Sequence, residues 1–229
     1  MRLESKSLQT IVEKISIISE LGLKITSTLN EDSIVGILYS SIKNFMDLSY
    51  FCIGIYDQYN FMVNYMDVIS NGQKEKKSSI SIDDNLSFAA NFIKNRQIII
   101  VNDITKEFPK YIDKKTYKAE LDLEINAKLN SLIFCPLLVN NNIIGIMTIQ
   151  SIEKNAFTPY HIEMVKALSA YAAIAINNAM KSRELEKLNQ ILLSLAEEDS
   201  LTRIANRRKF DSYINNVWNI CIEEKMSIA

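Results

Sequence analysis

After Thr158-Pro159 there is no further glycine or proline, and nothing breaks a helix for some forty residues. Threonine is a good N-cap, and proline at the first helical position gives up an N–H that would have no partner there anyway. Apolar or small residues at Ile162, Val165, Ser169, Ala172, Ile176 and Ala179 continue, after a phase shift, as Leu185, Leu188, Leu192 and Leu195. The first set predicts a helix face packed into a domain, and the second the seam of a two-stranded coiled coil. Any fold for this chain must therefore let one helix leave its core.

The preceding residues supply that core. Leu8, Ile11, Ile15, Ile18, Leu21, Ile25 and Leu29 recur at helical steps, so a first amphipathic helix is expected to run to about Leu29. Asn30 is placed to cap a second helix, whose buried face is Ile34, Ile37, Leu38, Ile42 and Phe45. From Tyr50 the composition turns β-branched and aromatic: segments 50–56 and 61–69 read as a hairpin around Asp57-Gln58-Tyr59-Asn60. A third strand near 78–82 leads into a short helix over 86–95, and 98–101 is a buried strand by composition. Residues 103–130 mix charge with aromatic side chains and suggest an irregular lid over a pocket. Segments 131–139 and 143–152 read as two strands joined by Asn140-Asn141-Asn142, residues that tolerate left-handed geometry. The expected class is α+β: a central antiparallel sheet of about five or six strands flanked by helices, with a long C-terminal helix.

Charge and cysteine usage exclude several functions. With 26 basic and 27 acidic residues the net charge is −1, which gives no general attraction to nucleic acid or to an anionic membrane. Arg207-Arg208-Lys209 is too short to serve as a nucleic-acid patch and reads as a solvated cluster. No apolar run approaches the roughly 20 residues that span a bilayer, and no signal-like segment follows Met1, so a cytoplasmic location is expected. Cys52, Cys135 and Cys221 are odd in number and set in apolar surroundings, which predicts reduced thiols rather than a disulfide framework. A single histidine, His161, and the lack of a C-x-x-C pair leave too few ligands for a zinc site, and no cofactor is expected. At the start of a helix, His161 reads as a solvent-facing polar residue.

The order of elements, together with Ser131-Leu132-Ile133-Phe134-Cys135-Pro136-Leu137-Leu138, then Gly145, then Phe157-Thr158, resembles the GAF sensor family from about Leu8 to Met180. Pro136 lacks a ladder donor and belongs at an edge or a bulge. Gly145 is expected where a neighbouring element approaches closely, and with five glycines in the chain its placement carries weight. The resemblance implies a small-molecule pocket drawing on Cys52, Gly54, Met66, Asp67, Phe88, Ala89, Asp122, Ile125, Leu129, Phe134 and Thr148. Small side chains at Cys52 and Gly54 would leave room for the ligand. Departures from the family narrow its identity. Cyclic-nucleotide-binding members often carry an N-K…F-x-x-x-D-E pattern, whereas Gln150 and His161-Ile162 stand at those places here. Bilin-binding members need a histidine over the pocket, and His161 falls at a helix start away from it.

Further on, Asp199-Ser200-Leu201-Thr202-Arg203-Ile204-Ala205-Asn206-Arg207-Arg208-Lys209-Phe210 resembles the opening D-x-L-T-x-L-x-N-R-R-x-F of the GGDEF (diguanylate cyclase) family, with Ile204 where leucine is usual. In that family the metal carboxylates, the guanine contacts and the GG(D/E)EF turn lie downstream, and 19 residues follow the stretch here. The expected organisation is a GAF domain over 1–180, a coiled-coil linker over 181–198 and the start of a GGDEF domain over 199–229. Asp199 and Ser200 are expected to cap the turn between helices, and no residue of the chain is expected to be catalytic.

The function implied is a dimeric sensor module, paired through its N- and C-terminal helices, that relays a small-molecule signal to a diguanylate cyclase. Two alternatives stay open from sequence: a ligand-free dimerisation or adaptor unit, and a free methionine sulfoxide reductase of GAF type. The latter would require Cys52 and Cys135 to approach within disulfide distance.

Overall fold

A computed structural model describes residues 15–83, 92–93, 97–107, 110–111, 129–197, 199, 202, 204–224 and 226. The chain divides into two compact units, Met1–Ala179 and Met180–Ala229. Their elements in chain order are helix α1 (15–26), α2 (Glu31–Lys43), strands β1 (Tyr50–Asp57), β2 (Met62–Ser70), β3 (Gln73–Lys74), β4 (Ser79–Ser81) and β5 (Ile99–Val101), the short helix α3 (Ile104–Glu107), β6 (Ser131–Val139), β7 (Asn142–Ser151), α4 (Pro159–Glu197) and α5 (Arg207–Glu224).

In the first unit, α1 ends earlier than its apolar periodicity implies. The hydroxyls of Thr26 and Ser27 donate back to the carbonyls of Gly22 (2.9 Å) and Lys24 (3.0 Å), a local satisfaction of backbone that favours helix termination. Ile25 is buried, whereas Ile15 and Leu29 of the anticipated stripe are exposed. Asn30 then caps α2 as expected: its Oδ1 accepts from the Ser33 N–H at 2.9 Å.

The sheet has seven strands among the described residues, in the order β3-β2-β1-β7-β6-β5, with β4 also paired to β2, and every pairing is antiparallel. The two-residue β3 carries no apolar pattern and was invisible in sequence. At the β6–β7 turn, Asn140 and Asn141 take φ of 50° and 63°, the left-handed region that asparagine accepts most readily after glycine.

Alternation along the strands gives the sheet two buried faces. On one, Phe51, Ile53, Ile69, Ile133, Cys135, Leu137, Met147 and Ile149 pack against α1, α2 and the first half of α4. Small residues of α4, Ala172, Ala173, Ala175 and Ala179, let that helix lie close. On the other face a smaller cluster gathers Val63, Ile99, Val101, Leu132, Phe134 and Ile146 with Phe92, Ile93 and Ile104. Gly145 meets its expectation: a Cβ there would run into the carbonyl oxygen of Gly54 on β1.

Helix α4 starts at Pro159 with a reciprocal cap. Thr158 Oγ1 accepts from the His161 N–H (3.3 Å), and His161 Nδ1 accepts from the Thr158 N–H (3.4 Å). His161 therefore does structural work at the helix start, beyond the merely exposed role expected of it. Among the described residues, no helix is long and apolar enough to cross a membrane.

Candidate functional site

Residues opposite one another on antiparallel strands share a face, so the register assigns side chains to one side of the sheet or the other. One rung runs Val68–Cys52–Thr148–Phe134–Ile99, and the next runs Ser70–Tyr50–Gln150–Leu132–Val101. Both rungs lie on the smaller-cluster face, away from α1, α2 and α4. Four of the anticipated pocket residues, Cys52, Gly54, Phe134 and Thr148, are brought together there, and Leu129 packs against the same cluster. Phe88, Ala89, Asp122 and Ile125 lie outside the described residues.

Met66 and Asp67 are turned the other way. A bulge between Ile53 and Gly54 makes Ile53 oppose Asp67 and Gly54 oppose Tyr65, leaving Met66 as the extra residue. Met66 packs on the helix-side core. Asp67, buried, is held at 2.6 Å by Lys74 on β3, and that hydrogen bond raises the pKa of the lysine. No single ligand can touch both faces, so the anticipated residues do not form one surface. The room expected over Gly54 is also taken: a Cβ there would lie 2.6 Å from Val63 Cγ1 and 3.2 Å from Tyr65 Cδ1.

What the rungs do hold is uncompensated polarity. Thr148 (1% exposed) and Gln150 (7%) are buried, and among the described residues neither Thr148 Oγ1 nor Gln150 Oε1 has a hydrogen-bond partner. Natural interiors tolerate few such atoms, because each loses its water without replacement. Burial pushes the Cys52 thiol up to about 11, outweighing the opposing pull of the neighbouring Thr148 and Tyr50 hydroxyls. The thiol is thus close enough to feel Thr148, but sulfur is a weak partner and no hydrogen bond of ordinary geometry reaches Oγ1. Phe92 covers Phe134 with ring centroids 5.9 Å apart. Gln150 had escaped notice as a pocket residue. Its signal was the spacing: on a strand, positions 146, 148 and 150 face one way, and the last two are polar inside a buried run.

A concavity lies on the helix side. A groove of about 280 Å³ is lined by Ile98, Cys135, Pro136, Leu138, Lys166, Ser169 and Ala170. The Cys135 sulfur and the Ser169 hydroxyl are 3.1 Å apart at its base, and burial raises this thiol also to about 11. Cys52 and Cys135 stand on strands two steps apart, about 9–10 Å across a sheet. Because Cys52 aligns with Phe134 through Thr148, the adjacent Cys135 faces the opposite side. They cannot meet in a disulfide, whose Cα atoms lie within about 7 Å. The geometry required of a methionine sulfoxide reductase based on this pair is absent. Among the described residues no group of three or more His, Cys, Asp or Glu side chains is placed to hold a metal ion.

In the second unit, Asp199, Thr202 and Asn206 make the side-chain contacts of a joint between α4 and α5. Asp199 Oδ1 accepts from both the N–H and the hydroxyl of Thr202 at 2.9 Å. The Asn206 side chain donates to the Ala196 carbonyl near the end of α4 (2.8 Å) and accepts from the Lys209 N–H at the start of α5 (3.1 Å). One asparagine therefore satisfies orphan groups of two helices. Phe210, Tyr213, Ile214 and Trp218 on α5 are exposed.

Comparison with known proteins agrees with this architecture. The GAF domain family matches residues 28–177. The fold is similar to the GAF domain of an Acinetobacter phosphoenolpyruvate-protein phosphotransferase, at 13% identity and a TM-score of 0.58 over 74% of this chain and 95% of that one. It is similar also to the GAF domain of a two-component sensor histidine kinase from Bacillus halodurans, at 17% identity and 0.52 over 68% and 99%. A free methionine-R-sulfoxide reductase from Neisseria meningitidis, in complex with its substrate, shares the fold at 10% identity and 0.54 over 74% and 91%. No curated protein matches the chain. With the sheet order, the helix-side core and a family match over most of the first unit, the chain belongs to the GAF domain family, a sensory and regulatory fold.

Proposed function

We propose that the chain is the regulatory input and dimerisation part of a diguanylate cyclase, and that α4 carries the signal from the GAF domain to the output. The observation that carries this reading is the change of character along α4. Its buried residues run from Met164 to Ala179. Beyond them Leu185, Leu188, Leu192 and Leu195 follow at steps of three and four and are 67%, 50%, 62% and 71% exposed. A seam of that spacing is what a second helix of the same kind covers. Ile15 and Leu23 on α1 are also exposed and would add to pairing through the N-terminal helices. The Asp199–Phe210 stretch names the output by resemblance, and its joint would pass a rotation of α4 to the next helix. Pairing matters because the cyclase reaction joins two GTP molecules held on two active sites. Catalysis is assigned to the output and not to the residues of this chain.

The test has two parts. Sedimentation should give a dimer, and Leu188→Lys with Leu192→Lys should give a folded monomer. In the protein carrying its complete cyclase domain, deletions of one to seven residues between Ala179 and Asp199 should change cyclase activity with helical periodicity. A smooth, length-only dependence would sink the relay.

A second reading, a ligand-free pairing unit, is favoured by one observation: Val63 fills the space over Gly54. It predicts that no small molecule raises the melting temperature of the domain.

A further inference from the structure

The two orphan polar atoms sit in a chemically specific setting. Thr148 and Gln150 project from β7 on the same face, two residues apart, with Leu132 and Phe134 beside them on β6. The two rungs contribute Val68, Cys52, Phe134 and Ile99 around Thr148, and Ser70, Tyr50, Leu132 and Val101 around Gln150. None of these side chains carries a charge at neutral pH. A charged group bound there would be desolvated with nothing on the rungs to compensate it. The glutamine amide presents a donor and an acceptor side by side, and its natural complement is another amide-like edge, an N–H next to a C=O.

We propose that this face binds a small uncharged molecule through a cis-amide edge, as in a lactam, a cyclic urea or a free nucleobase, with Gln150 pairing the edge and Thr148 as the adjoining polar contact. The proposal rests on reading the GAF domain as a ligand sensor, and it makes Gln150 the residue that selects the ligand. It also gives a partner to two buried atoms that have none among the described residues.

Thermal unfolding of the full chain tests it, with 2-pyrrolidinone, ethyleneurea and uracil as probes. Cyclopentanone, which has the carbonyl without the N–H, acetate and uridine monophosphate are the controls. The three probes should raise the midpoint, and the controls should not; the strongest of lactam, urea or nucleobase identifies the source of the edge. Gln150→Leu should abolish the shift and should itself melt higher than the unliganded wild type by about 2–4 °C, because it removes an unsatisfied buried group. Should Gln150→Leu fail to fold, the near-isosteric Thr148→Val, which also removes an orphan, carries the same two expectations in weaker form. Equal shifts with cyclopentanone, tighter binding of uridine monophosphate than of uracil, a response that survives Gln150→Leu, or no response at all would each overturn the proposal. Dimerisation and the linker periodicity are read separately, so a failure here leaves them standing and a failure there leaves this result interpretable.

Discussion

Gly145 on β7 abuts the carbonyl of Gly54 on β1, with no space between them for a methyl group. The obstacle is backbone in mid-sheet, so it cannot swing aside as a side chain would. Gly145→Ala should force the β1–β7 pair apart and destabilise the domain by about 2–3 kcal/mol, read as a lower urea midpoint. Gly36 is the control: it lies within α2 and a Cβ there would meet nothing within 4 Å. Gly36→Ala should stabilise by about 0.5–1 kcal/mol through helix propensity alone.

Thiol chemistry should divide the three cysteines. Cys52 and Cys135 are buried with their pKa values raised to about 11, so almost no thiolate forms at pH 8. Cys221 is partly exposed on α5. Iodoacetamide should label Cys221 alone in the native protein and all three in urea, as peptide mapping would show; rapid native labelling of Cys52 would mean that its face opens.

Two carboxyl groups should make the first unit acid-labile. Asp57 is held below the usual carboxylate range chiefly by the Asn60 side chain, and also by the backbone N–H groups of Asn60 and Tyr59. Asp103 is lowered by the Thr105 hydroxyl first, then by Lys154 at 3.0 Å. Because the folded pKa is the lower one, the stability they add is complete above the unfolded value near pH 4 and is lost as pH falls through the folded value. The urea midpoint should fall as the pH is taken below about 4, and Asp103→Asn should show a shallower fall from a lower starting point.

The joint between α4 and α5 should depend on one side chain. Asn206→Ala removes a bond to the Ala196 carbonyl and the cap on the Lys209 N–H, and should cost about 1–2 kcal/mol locally. Hydrogen exchange should accelerate over residues 207–212 while β1 and β7 stay protected. Unchanged exchange at Lys209 would show that Asn206 is not the cap.

Much of this architecture was legible because it rests on short-range chemistry. Asn30, Pro159 and the Asn140-Asn141 turn declare themselves by the backbone groups they satisfy or the angles they accept. The faces of β1, β6 and β7 follow from alternation. The site was less legible, for one reason above others. Counting by twos from Val63 puts Asp67 on Val63's face, but the bulge at Met66 inserts a residue and turns Asp67 to the helices. No single residue announces such a bulge, since it is set by how two strands pair. Gln150 was passed over for the opposite reason: its alternation was plain, but that its amide would lack a partner depends on what the neighbouring strands bring beside it.

Pro136 has a consequence outside the folded unit. Among the described residues, β5 borders β6 only at Leu132, Ile133 and Phe134, so Cys135–Val139 form an open margin on that side. A proline on an open margin offers an incoming strand no N–H to grip. Chains crowded together at high concentration would find this margin a poor template for strand-by-strand growth. Pro136 thus also discourages polymerisation along this margin, a consequence that reaches beyond the packing of a single copy.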